Sequence, residues 1–245
     1  MNYRIYKLKK GELLLACLEA ATLIGLTAFC FYNSIWVFLV FPAVLPLYLR
    51  EKQKALAERR RKELKIQFKD AVQSIAAALA AGYSAENALR EAVKDLQMMY
   101  SKDTDMVQEM AAMVRKMDSN QTMEAAVFDF AERSGIEEAQ TFAEIFAVAK
   151  RGGGDLIGIM KDTARTISET IETERQVAVV LASKRYEQRI MNKIPFAMIF
   201  YLRTGCPGFL DPLYHDVTGI CVMTVCLGLY GGAWYLGNEF LRIEV

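Results

Sequence analysis

The chain has 245 residues, of which 53% are hydrophobic and 24% charged, and a formal net charge of +1. So small a charge gives no general attraction to nucleic acid, and this mixture of apolar and charged residues fits neither an ordinary soluble protein nor a multispanning transporter. Five cysteines and one histidine lack both the paired spacing of a zinc site and a disulfide framework, so no metal or other cofactor is expected.

Apolar and charged residues are segregated along the chain. Residues 13–49 and about 190–237 are apolar, whereas 50–189 carry nearly all the charge at helical spacing. The expectation is an all-α membrane protein in three parts: an amino-terminal transmembrane hairpin over 1–49, a helical cytoplasmic domain over 50–189, and a carboxy-terminal transmembrane region over 190–245.

Arg4, Lys7, Lys9 and Lys10 precede an apolar run from Leu13 to Tyr32, long enough to cross a bilayer at about 1.5 Å per residue. A secretory signal is the competing reading. Asn33 and Ser34 lead instead into a second apolar run, Ile35 to Leu49, which holds Pro42 and Pro46, and no small-residue cleavage site precedes a secreted domain. The basic amino terminus and the cluster from Arg50 to Lys65 put both ends of this hairpin in the cytoplasm; a lipid or nucleic-acid patch is the rival meaning. Glu19 is costly inside the first span and reads as a protonated or snorkelling group at a helix contact, or as one with a functional partner. Cys17, Cys30, Cys221 and Cys226 fall in apolar stretches and are expected to pack as small hydrophobes. Cys206 and His215 fall in a loop.

From Ile66 onward the chain reads as consecutive amphipathic helices. Phe68, Val72, Ile75 and Leu79 form one stripe that ends near Gly82; Ala88, Leu89, Ala92, Val93 and Leu96 form the next. Met106, Met110, Met113, Val114 and Met117 follow, either an adaptable binding surface or, as helical spacing favours, bundle core. Ala126, Val127, Phe130 and Ala131 make a fourth stripe, and Ala139, Phe142, Ile145, Phe146 and Ala149 a fifth, with Ser134 and Glu137 at capping-box spacing before it. After Gly152, Gly153 and Gly154, Asp155 stands where an N-cap would sit, and Leu156, Ile159, Met160, Thr163, Ile167 and Ile171 restart the period in a long sixth helix.

The stretch from Gly82 to Leu89 echoes that from Asn120 to Val127. Gly82 and Asn120 tolerate the left-handed conformation, Ser84 and Thr122 supply a hydroxyl cap, and Glu86 and Glu124 put an acid in the first turn. One stop-and-restart device is used twice, and the Gly154-Asp155 junction is a third, looser version.

The combination of AAGYSAENAL, SNQTMEAA and AEIFAVAKRGGGDLIGIMKDTARTI, between apolar flanks, resembles the type II secretion F-domain family, more narrowly the tight-adherence (Flp-type) pilus platform proteins. The resemblance covers about residues 66–200 and rests on the order and spacing of the motifs. It implies an antiparallel cytoplasmic bundle of about six helices, a multi-pass platform in the cytoplasmic (inner) membrane of a prokaryote, and work coupled to a hexameric secretion ATPase and to pilin subunits. Larger members carry the domain twice; with one copy here, a paralogous platform protein or a second copy of this chain would supply the other half. The motor-facing surface is then expected on the polar side of the last two bundle helices, at Glu137, Glu138, Lys161, Arg165, Glu169 and Glu172, although a solvated face is the plainer reading of any single charge there.

The sixth helix leads toward Ile194 to Leu202, apolar but barely long enough to cross alone. Thr204 to Asp216 has loop chemistry, and Val217 to Gly237 reads as the final span, in which Gly228 and Gly232 have the small-x-x-x-small spacing of close helix packing, within the chain or between copies. Gly152 to Asp155 also matches the G-x-G-D pattern of intramembrane aspartyl peptidases, including those that mature pilins. That chemistry needs a second aspartate at a protected site, whereas Asp155 lies between charged amphipathic helices. The glycines lack the lysine and hydroxyl of a nucleotide loop, and no nucleophile–base set is visible, so no enzymatic activity is expected. A membrane-tethered signalling protein is the other class, but it should show a long heptad or a phosphoacceptor domain.

Overall fold

A computed structural model describes residue 3 and residues 10–27, 41–152, 155–206 and 217–240. Among the described residues there is no strand, and the all-α class holds. The helices are α1 (Lys10–Thr27), α2 (Phe41–Ala80), α3 (Ala85–Met99), α4 (Asp105–Asp118), α5 (Met123–Ser134), α6 (Glu137–Gly152), α7 (Leu156–Met191), α8 (Ile194–Gly205) and α9 (Val217–Phe240). The chain divides into two compact units, Met1–Lys7 with Gln53–Thr173, and Leu8–Lys52 with Glu174–Val245. Helices α2 and α7 contribute to both.

The first unit is a helical bundle whose core is the set of stripes read from the sequence. Phe68, Val72, Ile75 and Leu79 of α2, the Ala88–Leu96 stripe of α3, and Phe130, Phe142 and Phe146 of α5 and α6 are all buried. Met106, Met110 and Met113 are buried in the same core, and Val114 and Met117 pack partly against it, so the methionines are core. Phe68 joins three helices through its ring: its centroid lies 5.9 Å from that of Phe130 and 5.8 Å, edge-on, from that of Phe142. Such a contact adds about 0.5–1.5 kcal/mol to the burial of the rings themselves.

Two details differ from expectation. Ile159 is 39% exposed, because the inward face of α7 is set by Met160, Thr163, Ala164, Ile167 and Ile171. Ser134 is the last residue of α5 and does not open α6; its hydroxyl donates to the Ala131 carbonyl and accepts from the Ile136 N–H, and Gly135 ends the helix at φ +66°. The bundle unit runs to Thr173, and Ile171 is the last buried side chain of α7.

In the second unit, Tyr230 of α9 donates its hydroxyl to the Asn192 carbonyl at 2.9 Å and meets the Phe196 ring edge-on at 5.5 Å. A Cβ at Gly237 would meet only the end of the flexible Gln188 side chain, which can turn aside. Among the described residues no helix is both long and apolar enough to cross a membrane. Cys17 is half-covered, and Cys206, expected in a loop, is exposed; Cys221 and Cys226 are exposed and not packed within the chain, on an α9 whose apolar surface faces outward at Val222, Val225, Leu229 and Leu236. Cys30 and His215 lie outside the described residues.

Candidate functional site

The two echoing junctions have one geometry. At the first, Gly82 has φ +91°, the Gly82 N–H donates to the Leu79 carbonyl at 3.0 Å, and the Tyr83 N–H donates to the Ala78 carbonyl at 3.2 Å. At the second, Asn120 has φ +68°, its N–H donates to the Met117 carbonyl at 3.0 Å, and the Gln121 N–H donates to the Lys116 carbonyl at 3.1 Å. Each pair of bonds is a Schellman stop, which satisfies carbonyls that a helix end would leave free. The restart is the same too: the Ser84 hydroxyl accepts from the Asn87 N–H at 3.4 Å and the Thr122 hydroxyl from the Ala125 N–H at 3.3 Å. Both are N-caps in extended backbone.

At the third junction Gly152 closes α6, where a Cβ would meet nothing within 4 Å; Gly153 and Gly154 lie outside the described residues. Asp155 caps α7, its Oδ1 accepting from the Gly158 N–H at 2.8 Å. A Cβ at Gly158 would lie 2.3 Å from the Asp155 Oδ2, so this fourth glycine of the GGGDLIG run makes room for the cap. The Asp155 carboxylate is thus an exposed helix cap.

Lys150, in the last turn of α6, connects the other two junctions. Its ammonium donates to the Glu86 Oε1 at 2.8 Å and to the Glu124 Oε2 at 3.4 Å. These are the equivalent first-turn acids of α3 and α5. Burial pulls the Lys150 ammonium down, and the two carboxylates outweigh it and hold it above the ordinary lysine range. The hydrogen bond from Lys150 holds Glu86 below the ordinary carboxylate range.

A second network lies among α2, α4 and α5. Glu109, buried within the methionine stripe, takes two hydrogen bonds from the Arg133 guanidinium, at 2.9 and 2.7 Å, and one from the Tyr3 hydroxyl at 3.0 Å. Burial raises the Glu109 carboxyl, but Arg133 and Tyr3 outweigh that effect and hold it below its ordinary value. Arg133 also donates to Asp129 at 2.9 Å, and Lys116 donates to the same carboxylate at 2.5 Å. Arg60 of α2 holds Asp105, at the start of α4, through two bonds of 2.6 Å. The adjoining Met106 N–H donates to the Gln67 side chain at 3.4 Å, which stands in for the cap bond that Thr104 does not make. Sequence reading passed over Glu109; its signal is register, since it falls three residues after Met106 and four before Met113, on the stripe itself.

Of the expected motor-facing charges, Glu137, Lys161, Arg165, Glu169 and Glu172 are exposed, and Arg165 donates to Glu169 one turn on at 2.8 Å. Glu138 is not part of that face. Its Oε1 pairs with the Lys65 ammonium at 2.7 Å, its side chain is 13% exposed, and its Oε2 is buried with no hydrogen-bond partner among the described residues. In the second unit Glu19 is partnered, taking a hydrogen bond from the Tyr48 hydroxyl at 2.9 Å and an ion pair from the Lys52 ammonium. Gly228 and Gly232 are exposed, and among the described residues a Cβ at either would meet nothing within 4 Å. Among the described residues no group of three or more His, Cys, Asp or Glu side chains is placed to hold a metal ion. Comparison of the chain with protein-family models, with curated proteins and with solved structures finds no match.

Proposed function

We propose that this chain is a platform component of a tight-adherence (Flp-type) pilus or type II-like secretion machine. In this reading it sits in the cytoplasmic membrane of a prokaryote and couples a hexameric secretion ATPase to the insertion or extraction of pilin. Its action is mechanical, with no cofactor and no reaction of its own. The observation that carries the reading is the repeated stop-and-restart junction at Gly82–Ser84 and Asn120–Thr122, bridged by Lys150 from the turn before the glycine run, because these are the motifs on which the F-domain resemblance rests. Lys150 links the first turns of α3 and α5 to the end of α6.

The membrane part of the proposal is supported by the second unit's surface and sequence. Leu14, Leu15 and Leu18 of α1 and Phe200, Tyr201, Leu229 and Trp234 of α8 and α9 are exposed, and no Asp, Glu, Lys or Arg occurs from Val217 to Asn238. An exposed apolar surface of this kind calls for lipid or a protein partner to cover it. The motor-facing surface is the exposed charge row Lys161, Arg165, Glu169 and Glu172 of α7 with Glu137 of α6, without Glu138.

The test is co-purification from membranes with the candidate ATPase and the paralogous platform protein, for the wild type and for a charge reversal of Lys161, Arg165, Glu169 and Glu172. Loss of ATPase association with the bundle intact is expected. Unchanged association and unchanged pilus assembly in the reversal variant would remove the surface assignment. Loss of prepilin cleavage in Asp155→Asn would replace the platform reading with the peptidase one.

A further inference from the structure

Within the second unit, α7 gives way to α8 at a break. Pro195, in the first turn of α8, has no N–H to give, so a helix running on from α7 would lose a bond there. The backbone keeps a helical turn as far as Lys193: the Asn192 N–H donates to the Gln188 carbonyl and the Lys193 N–H to the Ile190 carbonyl, each at 2.9 Å, and Lys193 has φ −87° and ψ −22°. The Asn192 carbonyl takes the Tyr230 hydroxyl of α9 at 2.9 Å, and the Phe196 ring meets that of Tyr230. Further along α9, Gly237 lies against the Gln188 side chain. Helix α9 therefore runs antiparallel to the end of α7, with residues 230–237 level with 188–192.

Two cations stand at this level. Arg189 and Lys193 lie one turn apart on one face, both are exposed, and among the described residues no ion pair includes either. Nearby Lys184, by contrast, pairs with Glu187 at 3.1 Å. Exposed rings share the level: Tyr186 of α7, and Trp234 and Tyr235 of α9. Beside them α9 carries no Asp, Glu, Lys or Arg from Val217 to Asn238 and exposes Val225 and Leu229. Tyrosine and tryptophan concentrate where hydrocarbon meets water, and lysine and arginine lay their stems along apolar surface and carry the charge to that boundary. Trp234 and Tyr235, adjacent on a helix, point about 100° apart; one partner helix would cover one of them, whereas lipid surrounds both.

We propose that Arg189 and Lys193 bind the phosphate of an anionic phospholipid at the membrane boundary, with Tyr186, Trp234 and Tyr235 as the ring belt at the same depth. This rests on the membrane part of the proposed function and adds the lipid that the chain selects. At about 1.5 Å per residue, Tyr230 lies about 10 Å along α9 from Gly237, so Lys193 is the deeper cation and Arg189 stands among the rings. Side chains of a helix lean toward its N-terminus, which directs the Lys193 ammonium back toward Arg189. The guanidinium fork takes two phosphate oxygens and the ammonium a third. Tyr230, through the Asn192 carbonyl, positions the turn that carries both.

The test reads Trp234 fluorescence in the full chain, with Trp36→Phe leaving it the single tryptophan, reconstituted in phosphatidylcholine vesicles containing a minority of phosphatidylglycerol. One lipid or the other carries brominated chains, which quench a tryptophan they touch. Brominated phosphatidylglycerol should quench at least about threefold more than its share of the bilayer, since each cation near an anionic leaflet contributes up to about fivefold. Arg189→Gln with Lys193→Gln should bring quenching down to the bulk share, and Arg189→Lys with Lys193→Arg should keep the excess. Lys184→Gln, the same loss of charge on a paired lysine, should leave it unchanged. If the double glutamine chain does not reconstitute, Lys193→Gln alone should lower the excess, and no change in it overturns the assignment. Phosphatidylglycerol quenching only at its bulk share, with phosphatidylcholine quenching normally, overturns the proposal and leaves the membrane reading standing; it is the result expected if the cations face an acidic group of a partner chain. An equal loss in Lys184→Gln, the mark of general charge attraction, also overturns it. Quenching by neither lipid removes the membrane reading and this proposal with it.

Discussion

Replacing Arg133 with methionine removes the cation from the ion pair that holds the buried Glu109 while keeping most of the side chain's bulk. The guanidinium serves two carboxylates of different exposure: the Glu109 side chain is 6% exposed and that of Asp129 is 41%. Asp129 can turn to water and to Lys116, so its share is worth about 0.2–1 kcal/mol, as for exposed pairs generally. Glu109 cannot. Breaking a buried pair by removing one partner costs about 3–5 kcal/mol, most of it from the charge left behind, and the Tyr3 hydroxyl, still donating at 3.0 Å, places this case toward the lower end. Amide hydrogen exchange of α4 and α5 in the full chain reads the loss directly. At about 1.4 kcal/mol per tenfold, protection should fall by about 100-fold or more. Adding Glu109→Gln should restore much of it, because the stranded charge is gone. A loss under about 1 kcal/mol for Arg133→Met, or a double variant as costly as the two single ones summed, would refute the assignment of the penalty to Glu109.

The junctions and the pH response give further tests. Exchanging the junction residues, Gly82→Asn and Asn120→Gly, should leave thermal stability nearly unchanged, whereas alanine at either should cost about 1–2 kcal/mol for the left-handed backbone, although a Cβ at Gly82 would touch nothing. Asp155→Asn or Ser should keep the α7 cap, Asp155→Ala should lose about 1 kcal/mol, and Gly158→Ala should destabilise despite alanine's better helix propensity, because the cap carboxylate is displaced; exchange at the first turn of α7 reports each. Lys150→Met should raise exchange at the starts of both α3 and α5, and an effect confined to one of them would count against the bridge. Glu86, Glu109 and Asp129 have carboxyls held below their ordinary values. Their contribution is therefore complete above the unfolded-state range near about pH 4 and is lost as pH falls through the depressed folded values. Acid titration of stability should show a loss confined to that window, made shallower by Glu109→Gln.

Much of the bundle was legible because its determinants are local. The inward stripes of α2 to α6 follow the helical period, and an isolated α-helix already sets which side chains share a face. The Gly82 and Asn120 stops are equally local, since a residue that tolerates positive φ followed two positions later by a hydroxyl both ends one helix and caps the next. The errors came where local signals compete. Ser134 and Glu137 have capping-box spacing, but Gly135 between them takes the left-handed position first and makes Ser134 the end of α5. Ile159 has helical spacing from Leu156 and Thr163, yet lies off the face that Met160, Thr163 and Ile167 bury.

By itself, the amino-acid sequence determined the helices, their stops and the faces they bury, because hydrogen bonds within a helix and side-chain period act over a few residues. The tertiary structure alone decided which charges meet. Glu109 with Arg133, Lys65 with Glu138, Lys150 with both Glu86 and Glu124, and Tyr3 with Glu109 join residues 24 to 106 positions apart where hydrogen bonds link them. Nothing in the spacing of a lysine or a glutamate says which carboxylate or ammonium it will face, since that depends on how the helices pack. Register places Glu138 four residues before Phe142 and eight before Phe146, beside the buried stripe, but only packing supplies Lys65 as its partner.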